Sequence, residues 1–460
     1  MPVEMIENRT FDEISLGESA TLSRVVTQRD IELFAVVSGD VNPAHLDAAY
    51  AATDMFHKVV AHGMLGASLI STVLGTVLPG PGTIYLAQDL HFLRPVGIGD
   101  SITATLTVSA KDPDKRAVTF DCRCVNQHGE AVIDGVARVR APGEKIRLPR
   151  VELPEVMLNR HERFRALLAQ AKQRPPLAVA VAYPCDAAAL APVLEGAAAG
   201  LLAPILVGPP ETIRQAAAGT DLAAFRLVEA PTPAAAAERA VQLVREGAAA
   251  ALMKGSLHTD ILLSAVLAPD SGLRTGRRLS HVYIMDVPTY PRPLLVTDAA
   301  VNIAPDLEQK RDILQNAIDL ARAMGVETPR AAILSAVETV SPKLRSTLDA
   351  AALCKMADRG QITGGLVDGP LAFDNAVSPA AAAEKGIVSP VAGQADILLA
   401  PDLEAGNMLA KQLSFLAGAD AAGVVMGAKV PIILTSRADS ERTRLASCAV
   451  AALLAARTED

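Results

Sequence analysis

The stretch Val60-Ala-His-Gly-Met-Leu-Gly-Ala-Ser-Leu-Ile-Ser-Thr-Val-Leu74 decides the fold of the first third of this 460-residue chain. Gly63 opens an apolar helical run that extends to about residue 75. Four segments in which polar and apolar residues alternate follow, and such a period of two is typical of half-buried strands. One helix followed by an antiparallel meander predicts an α+β layer in which a sheet wraps the helix. The four segments begin at Thr83, Ser101, Ala117 and Ala131.

A loop shortly before this helix carries Asp40, Asn42 and His45 within six residues. Pro43 stands between them and stops a helix from continuing through the loop. A carboxylate, an amide and an imidazole are therefore presented on a loop, where binding and catalytic residues concentrate. The free backbone N–H groups at the helix start, near Gly63, are able to polarise a carbonyl. This combination predicts chemistry on an acyl group.

The bulk properties bound the class of protein. The length predicts two or three domains. A net charge of -8 and only 3% aromatic residues argue against a nucleic-acid-binding or membrane-surface protein. The five cysteines are odd in number and scattered, which favours reduced thiols and no metal site. No signal peptide or membrane-spanning run is visible, so we expect a cytoplasmic location.

The pattern changes once along the chain. Residues 1–145 form the first predicted domain, and the charged, proline-containing residues 146–165 are its predicted linker. From residue 166 to residue 460, short β-branched strands alternate with alanine-rich helices. That rhythm predicts a mostly parallel sheet with helices on both faces. The fold class expected is therefore multidomain, an α+β domain followed by α/β layers.

Residues 10–142 resemble the MaoC-like hot-dog family, and are most similar to its (R)-specific enoyl-CoA hydratases. The signature includes the Asp40 loop, Val60–Met64 and Ser71. By this resemblance, Asp40 and His45 bind one water and share the general-base and general-acid work of hydration. The resemblance also implies that the Gly63 N–H holds the thioester oxygen, that Ser71 orders the Asp/His loop, and that Asn42 belongs to the substrate site.

Three other interpretations of this segment stay open. In the first, both residues are structural: Asp40 caps a helix and His45 packs in the core, as is usual for a single residue of either type. A hot-dog thioesterase is a second possibility, although the Asp-x-Asn-x-x-His spacing favours the hydratase. The third is a hot-dog domain that is not catalytic and serves oligomerisation or acyl-CoA docking.

From about residue 160 to the end, the chain resembles the phosphate acetyltransferase/butyryltransferase family, which reversibly transfers an acyl group between coenzyme A and inorganic phosphate. The resemblance implies two α/β subdomains with the active site in the cleft between them. Subdomain I covers about 166–290 plus 422–460, and subdomain II about 291–421. The matching blocks are Leu252–Thr259, Leu273–Val282, Thr297–Asn302, Leu334–Glu338, Val367–Leu371, Pro401–Asn407 and Thr435–Arg437.

The resemblance also assigns roles in the second site. Ser436 and Arg437 are the expected catalytic pair, a hydroxyl beside a guanidinium that stabilises a tetrahedral oxyanion. Phosphoryl oxygens require cations and fixed N–H donors. The expected substrate-binding residues are Lys254, His258, Arg274, Arg277, Asp298, Asn302, Lys310, Asp368 and Asp374.

Two departures from the acetyl branch of that family lean toward its butyryl branch. First, Thr443 stands where the acetyl branch has the carboxylate proposed as thiol base, and Asp439 is the nearest carboxylate that could substitute. Second, the arginine expected on the helix after the His-Thr motif is missing. On fold alone, a nicotinamide-dependent decarboxylating dehydrogenase is an alternative. We expect a homo-oligomer that uses acyl-CoA and phosphate as substrates and has no tightly bound cofactor.

Overall fold

The computed structural model describes residues 4–156, 158, 161–435 and 439–456. The chain divides into two compact units, residues 1–158 and residues 159–460. Each unit has its own core and is described by itself.

The first unit contains four helices and seven strands within its described residues, besides a 3-10 turn at Phe11–Glu13. They are β1 (Met5–Glu7), β2 (Ser19–Val25), α1 (Gln28–Ser38), α2 (Pro43–Leu46), α3 (Ala48–Ala51), α4 (Gly63–Thr76), β3 (Ile84–Phe92), β4 (Ser101–Asp112), β5 (Ala117–Val125), β6 (Ala131–Arg140) and β7 (Arg147–Pro149).

The sheet of the first unit encloses one face of α4. Its five antiparallel strands run in the order β2-β4-β5-β6-β3. Alternate residues of β4 face the helix and are buried, as period-two patterning requires. On α4, Ile70, Val73 and Leu74 are fully buried, and each contributes about 1.5–3 kcal/mol of hydrophobic stabilisation. The predicted helix and meander are confirmed.

Local capping sets where the loop with Asp40 begins. The side chain of Thr27 accepts a hydrogen bond from the Asp30 N–H, and this capping box starts α1. The helix ends at Gly39, which has a left-handed φ of 75° that costs little without a Cβ. Asn42 then caps α2, with Pro43 at its first position. Asp40 therefore lies in the turn between two helices.

The predicted linker is partly structured. Strand β7 pairs antiparallel with β1, so the first unit continues past residue 145. Helix α5 of the second unit begins at Glu162, inside the range predicted as linker. The sequence of residues 146–165 did not show these elements, because β7 is only three residues long and the predicted linker includes only the first turn of α5.

The second unit alternates strands and helices along its described residues. They are α5 (Glu162–Ala171), β8 (Leu177–Ala182), α6 (Ala187–Ala198), β9 (Leu202–Gly208), α7 (Pro210–Ala216), β10 (Arg226–Glu229), α8 (Pro233–Arg245), β11 (Ala251–Lys254), α9 (Thr259–Leu267), β12 (Ser280–Asp286), β13 (Leu294–Thr297), α10 (Leu307–Ala323), β14 (Arg330–Leu334), α11 (Arg345–Asp358), β15 (Leu366–Leu371), α12 (Phe373–Val377), α13 (Pro379–Glu384), β16 (Ile397–Leu399), α14 (Leu403–Phe415), β17 (Asp420–Met426), β18 (Ile432–Ile433) and α15 (Glu441–Ala455).

One eleven-stranded sheet runs through this unit in the order β10-β9-β8-β11-β18-β17-β12-β13-β16-β14-β15. The strands from β10 to β18 are parallel, as are those from β13 to β15. Between the two blocks, β17 and β12 pair antiparallel with each other and with both flanks. The prediction of a mostly parallel sheet is confirmed. The predicted subdomain boundaries stay a prediction.

Helix α15 forms the centre of the second unit. Every residue from Ala446 to Ala455 is buried, and the alanines among them let the helix lie close to its neighbours. Even so, no helix within the described ranges is both long enough and apolar enough to cross a bilayer.

The central strand β12 carries a buried histidine. His281 is 2% exposed, and its Nδ1 atom has no hydrogen-bond partner among the described residues. Burial lowers the pKa of His281 from its ordinary 6.5 to about 4, against the opposing attraction of Asp298. The ring is therefore neutral in the folded protein at neutral pH.

The depressed pKa of His281 predicts a loss of stability in acid. Below pH 6.5 the imidazole of His281 is protonated in the unfolded chain but stays neutral in the folded chain. The free energy of unfolding therefore falls as the pH falls toward 4, by roughly 3 kcal/mol for this group. Urea unfolding of the second unit at several pH values measures the slope. We expect a shallower slope for His281→Phe and an unchanged one for the exposed control His258→Phe. Equal slopes for His281→Phe and the wild type would contradict this origin.

Candidate functional sites in the two units

The first site assembles around two histidines and one aspartate. Asp40 follows α1, His45 lies in α2, and His62 directly precedes α4. One carboxylate oxygen and one nitrogen of each imidazole lie within 4.8 Å of one another. The structure therefore brings the predicted Asp40 and His45 together, as their spacing in the sequence suggested.

Hydrogen bonding assigns the tautomer of His45. Its Nδ1 lies 2.7 Å from the Val60 carbonyl oxygen, which only accepts hydrogen bonds. Nδ1 therefore carries the proton of the neutral ring, and Nε2 keeps the lone pair that a general base needs. Asp40 is exposed and accepts a hydrogen bond from the Asn42 N–H at 3.2 Å.

His62 is a residue of this site that we did not predict. Its ring lies on that of His45 with centroids 3.9 Å apart, and its Nε2 is 3.1 Å from the Asp40 carbonyl oxygen. His62 thus connects the base, the Asp40 loop and the start of α4. The sequence contained a signal, since His62 belongs to the matching Val60–Met64 block, but only Gly63 was given a role there.

A cavity of about 300 Å³ opens beside these residues. The start of α4 faces it without a side-chain cap, so its first N–H groups are available to an acyl oxygen. A Cβ at Gly63 would come within 2.9 Å of the Phe92 ring, which explains why glycine is needed there. The lining is mostly apolar and includes His45, Phe56, His62, Gly63, Phe92 and Ile133.

Ser71 makes no hydrogen bond to the Asp/His loop among the described residues, and its role in ordering that loop stays a prediction. It is exposed on α4, two turns after Gly63, and its hydroxyl has no hydrogen bond among the described residues. The Asp/His loop is instead held by Gly39, the Asn42 cap and His62. Asn42 stabilises α2 by accepting from the Ala44 N–H, so its side-chain oxygen serves the loop.

The second site lies at the carboxyl ends of the parallel strands β11 and β18. Ligands of open α/β sheets bind at such ends. A largely polar cavity of about 350 Å³ is lined there by Lys254, His258 and Thr435. Lys254 Nζ lies 3.3 Å from the carbonyl oxygens of Gly255 and Leu257. His258 precedes α9 without a side-chain cap, so a helix N-terminus and an ammonium group face one cavity, as an anion requires.

The expected catalytic pair, Ser436 and Arg437, lies outside the described residues. Thr435 directly precedes the pair and lines the cavity with Lys254. Thr443, which replaces the acetyl-branch carboxylate, is engaged in the first turn of α15, where its N–H and hydroxyl bond to Ser440. Burial raises the pKa of Tyr283, and the charge of Asp439 raises it further. The Asp439 carboxylate therefore lies near this phenol.

Three predicted substrate ligands bond to other groups within the fold. Lys310 is 4% exposed, and its ammonium lies 2.7 Å from a carboxylate oxygen of Asp349. Asp298 is buried and accepts hydrogen bonds from the N–H groups of Ala300 and Val301 and from the amide of Asn302. In this structure their polar groups are satisfied within the fold, and their roles as substrate ligands stay predictions.

The two predicted arginines do not join Lys254. Arg274 and Arg277 line a separate cavity of about 490 Å³, which the last turns of α9 also line. The Lys254 cavity is instead at the first turn of that nine-residue helix. Arg277 also pairs with Asp319. In this structure the two arginines do not share the Lys254 cavity.

Asp368 and Asp374 lie at the two ends of one short segment. Asp368 is half-buried in β15 and accepts a hydrogen bond from the Gly369 N–H at 2.8 Å. Asp374 is exposed in the first turn of α12, where an acidic residue favours the helix dipole. Neither lines the Lys254 cavity, and their substrate role stays a prediction.

Comparison with known proteins decides the class of the second unit. The family model described as phosphate acetyl/butaryl transferase matches residues 229–452. A phosphate acetyltransferase of Rhizobium meliloti is 61% identical over 297 residues, which is 64% of this chain and 94% of that protein. The chain belongs to the phosphate acetyl/butyryl transferase family. The prediction of a phosphate acyltransferase is confirmed, and acyl-CoA and phosphate fit this family as substrates.

Relatives of both branches of the phosphate acetyl/butyryl transferase family match. A phosphate butyryltransferase of Clostridium acetobutylicum is 42% identical over 294 residues, covering 64% of this chain and 98% of that one. A branched-chain phosphotransacylase of Enterococcus faecalis V583 has a solved structure that covers 61% of this chain and 99% of its own. Its TM-score is 0.55 at 31% identity.

The first unit has its own match. The family model described as MaoC like domain covers residues 15–124. The chain is therefore a MaoC-like hot-dog domain followed by a phosphotransacylase α/β domain, and the predicted fold class is confirmed.

Lys254 gives a test of the second site in the transferase. Lys254→Met removes the ammonium from the cavity, so we expect kcat/KM for phosphate to fall about 10- to 100-fold, the value of one hydrogen bond to a charged group. Acyl phosphate formation at varied phosphate measures it. Lys254→Arg retains the charge and should lose less, and the exposed Lys411→Met should be unaffected. An unchanged kcat/KM in Lys254→Met would place phosphate elsewhere.

Proposed function

We propose a bifunctional enzyme in which the MaoC-like domain hydrates trans-2-enoyl-CoA to (R)-3-hydroxyacyl-CoA. The observation that supports it is the tautomer of His45, whose Nδ1 is bound to the Val60 carbonyl so that Nε2 is left as the base. Asp40 and the uncapped start of α4 lie beside it. A base, an acid and an oxyanion donor are the three parts that hydration of an enoyl thioester needs.

The proposed reaction adds one water across the double bond. One member of the Asp40/His45 pair takes a proton from water while the water oxygen bonds to C3 of the enoyl group. The π electrons move toward the thioester, and the enolate oxygen accepts a hydrogen bond from the Gly63 N–H at the α4 start. The other member of the pair gives a proton to C2, and a proton passing between the two residues restores the site. The apolar cavity beside Phe92 and Ile133 then holds the acyl chain.

For the second unit, we propose that Ser436 and Arg437 stabilise the tetrahedral intermediate, as the resemblance implies. Phosphate would bind at the Lys254 cavity, where the N-terminus of α9 adds N–H donors. Neither reaction calls for a tightly bound cofactor, since coenzyme A thioesters are substrates of both. Both branches of the family match, so the preferred acyl length is a matter for measurement with acyl-CoAs of increasing length.

The hydratase proposal predicts loss of one activity alone. We expect Asp40→Asn and His45→Gln each to lower crotonyl-CoA hydration by about 10²- to 10⁴-fold, the usual contribution of acid–base groups. Phosphate-dependent release of CoA from acyl-CoA should stay unchanged and is the internal control. Absence of hydration in the wild type would favour the docking-module alternative, and full activity in both variants would reject the assigned residues.

We also propose that the chain self-associates along β3. This strand is an edge of the five-stranded sheet and pairs only with β6 among the described residues. Its Ile84, Leu86 and Phe92 side chains are exposed by 54%, 40% and 52%. An unpaired apolar edge is a template for a second copy.

If the chain self-associates along β3, Leu86→Lys should lower the molar mass of the assembly in solution, because a charge on an edge strand opposes pairing with a second copy. Light scattering after size-exclusion chromatography measures the mass. Leu348→Lys, at a similarly exposed apolar position in the second unit, is the matched control (44% exposed, against 40% for Leu86). A wild-type chain that is monomeric at all concentrations would end this proposal.

A further inference from the structure

The Asp40, His45 and His62 cluster has the donor set of a metal site. One carboxylate oxygen and two imidazole nitrogens lie within 4.8 Å of one another, and they come from three separate segments of the first unit. Two histidines and one carboxylate are a common three-ligand set for Zn²⁺ in sites that keep an open position. The set has no further oxygen ligands of the kind Ca²⁺ and Mg²⁺ prefer.

The hydrogen bonds of both rings match the pattern of metal-binding histidines. His45 donates Nδ1–H to the Val60 carbonyl at 2.7 Å, and His62 donates Nε2–H to the Asp40 carbonyl at 3.1 Å. Histidines that bind metals usually donate their second nitrogen to such a carbonyl or carboxylate, which fixes the ring. In the neutral form of each ring, the other nitrogen keeps the lone pair that a metal takes.

His62 independently indicates a missing ligand. The residue is 3% exposed, and Nδ1, its lone-pair nitrogen, is buried without a hydrogen-bond partner among the described residues. Leaving a buried acceptor unsatisfied costs about 1–3 kcal/mol. His62 also lines the 300 Å³ cavity, and Asp40 is exposed, so a small ion has a path to the cluster.

We propose that Asp40, His45 and His62 bind one Zn²⁺ ion, and that this ion inhibits the hydratase. The metal takes the lone pair of His45 and the carboxylate of Asp40, the groups assigned above to proton transfer. Hydration is then blocked while acyl transfer to phosphate in the second unit continues. Zinc binding stands on the geometry alone, whereas the inhibition rests on the proposed hydratase function.

Metal binding is tested first, on the full chain freed of metal by a chelator and dialysed. Calorimetric titration with Zn²⁺ should show one site per chain, and Co²⁺ should give the intense visible bands of a low-coordinate site. We expect His62→Gln and Asp40→Asn each to weaken the affinity more than 10-fold. The matched control is His91→Gln, which removes the imidazole of an exposed His91–Asp134 pair elsewhere on the first unit. This variant should bind Zn²⁺ like the wild type.

The outcomes are separable. Absence of a saturable site, or loss of binding in His91→Gln but not in the two cluster variants, would overturn the metal site. Asp40→Asn changes an exposed side chain, so the test stays valid if His62→Gln misfolds. Circular dichroism reveals such misfolding. Zn²⁺ that binds without slowing crotonyl-CoA hydration would overturn the inhibition. A chain with no hydration at all still reports binding through the Co²⁺ bands, so failure of the proposed hydratase is distinguished from failure of the site.

Discussion

The enclosure of α4 is the constraint on which the first unit depends, since Ile70, Val73 and Leu74 leave water only if a sheet curves around the helix. The inward residues of β4 and β5 supply that surface, and the polar face of the helix stays outside. The sheet covers the body of the helix but leaves its N-terminus uncapped beside His62. Open N–H groups and the Asp40 loop therefore meet at the N-terminal end of α4, where the first site lies.

The second unit follows the same logic on a larger scale. Helix α15 is buried from Ala446 to Ala455, and its alanines make that close packing possible without large side chains. Two blocks of parallel strands flank the antiparallel pair β12 and β17. Parallel strands leave main-chain groups and loop residues at their carboxyl ends, and the Lys254 cavity lies at such an end. Lys310 and Asp298, by contrast, lie inside the layers and hold neighbouring segments together.

The sequence predicted elements more reliably than roles. The predicted helix from Gly63 to about residue 75 corresponds to α4, because the apolar period is a local property of the segment. A polar residue within a family motif carries no such local signal about whether it faces a substrate or a buried partner. Lys310 and Asp298 are both predicted substrate ligands, yet Asp349 and the 299–302 turn satisfy them internally.

The sequence by itself determined the two-part organisation, the class of each fold and the Asp40/His45 pairing, because hydrophobic period, glycine and proline positions and residue spacing act over short distances. Only the tertiary structure decided that His62 lies against His45 and that Arg274 and Lys254 line different cavities. These are relations between segments far apart in the chain. Burial and hydrogen-bond competition settle them only after the whole core has formed, when each polar group must find a partner or remain exposed to water.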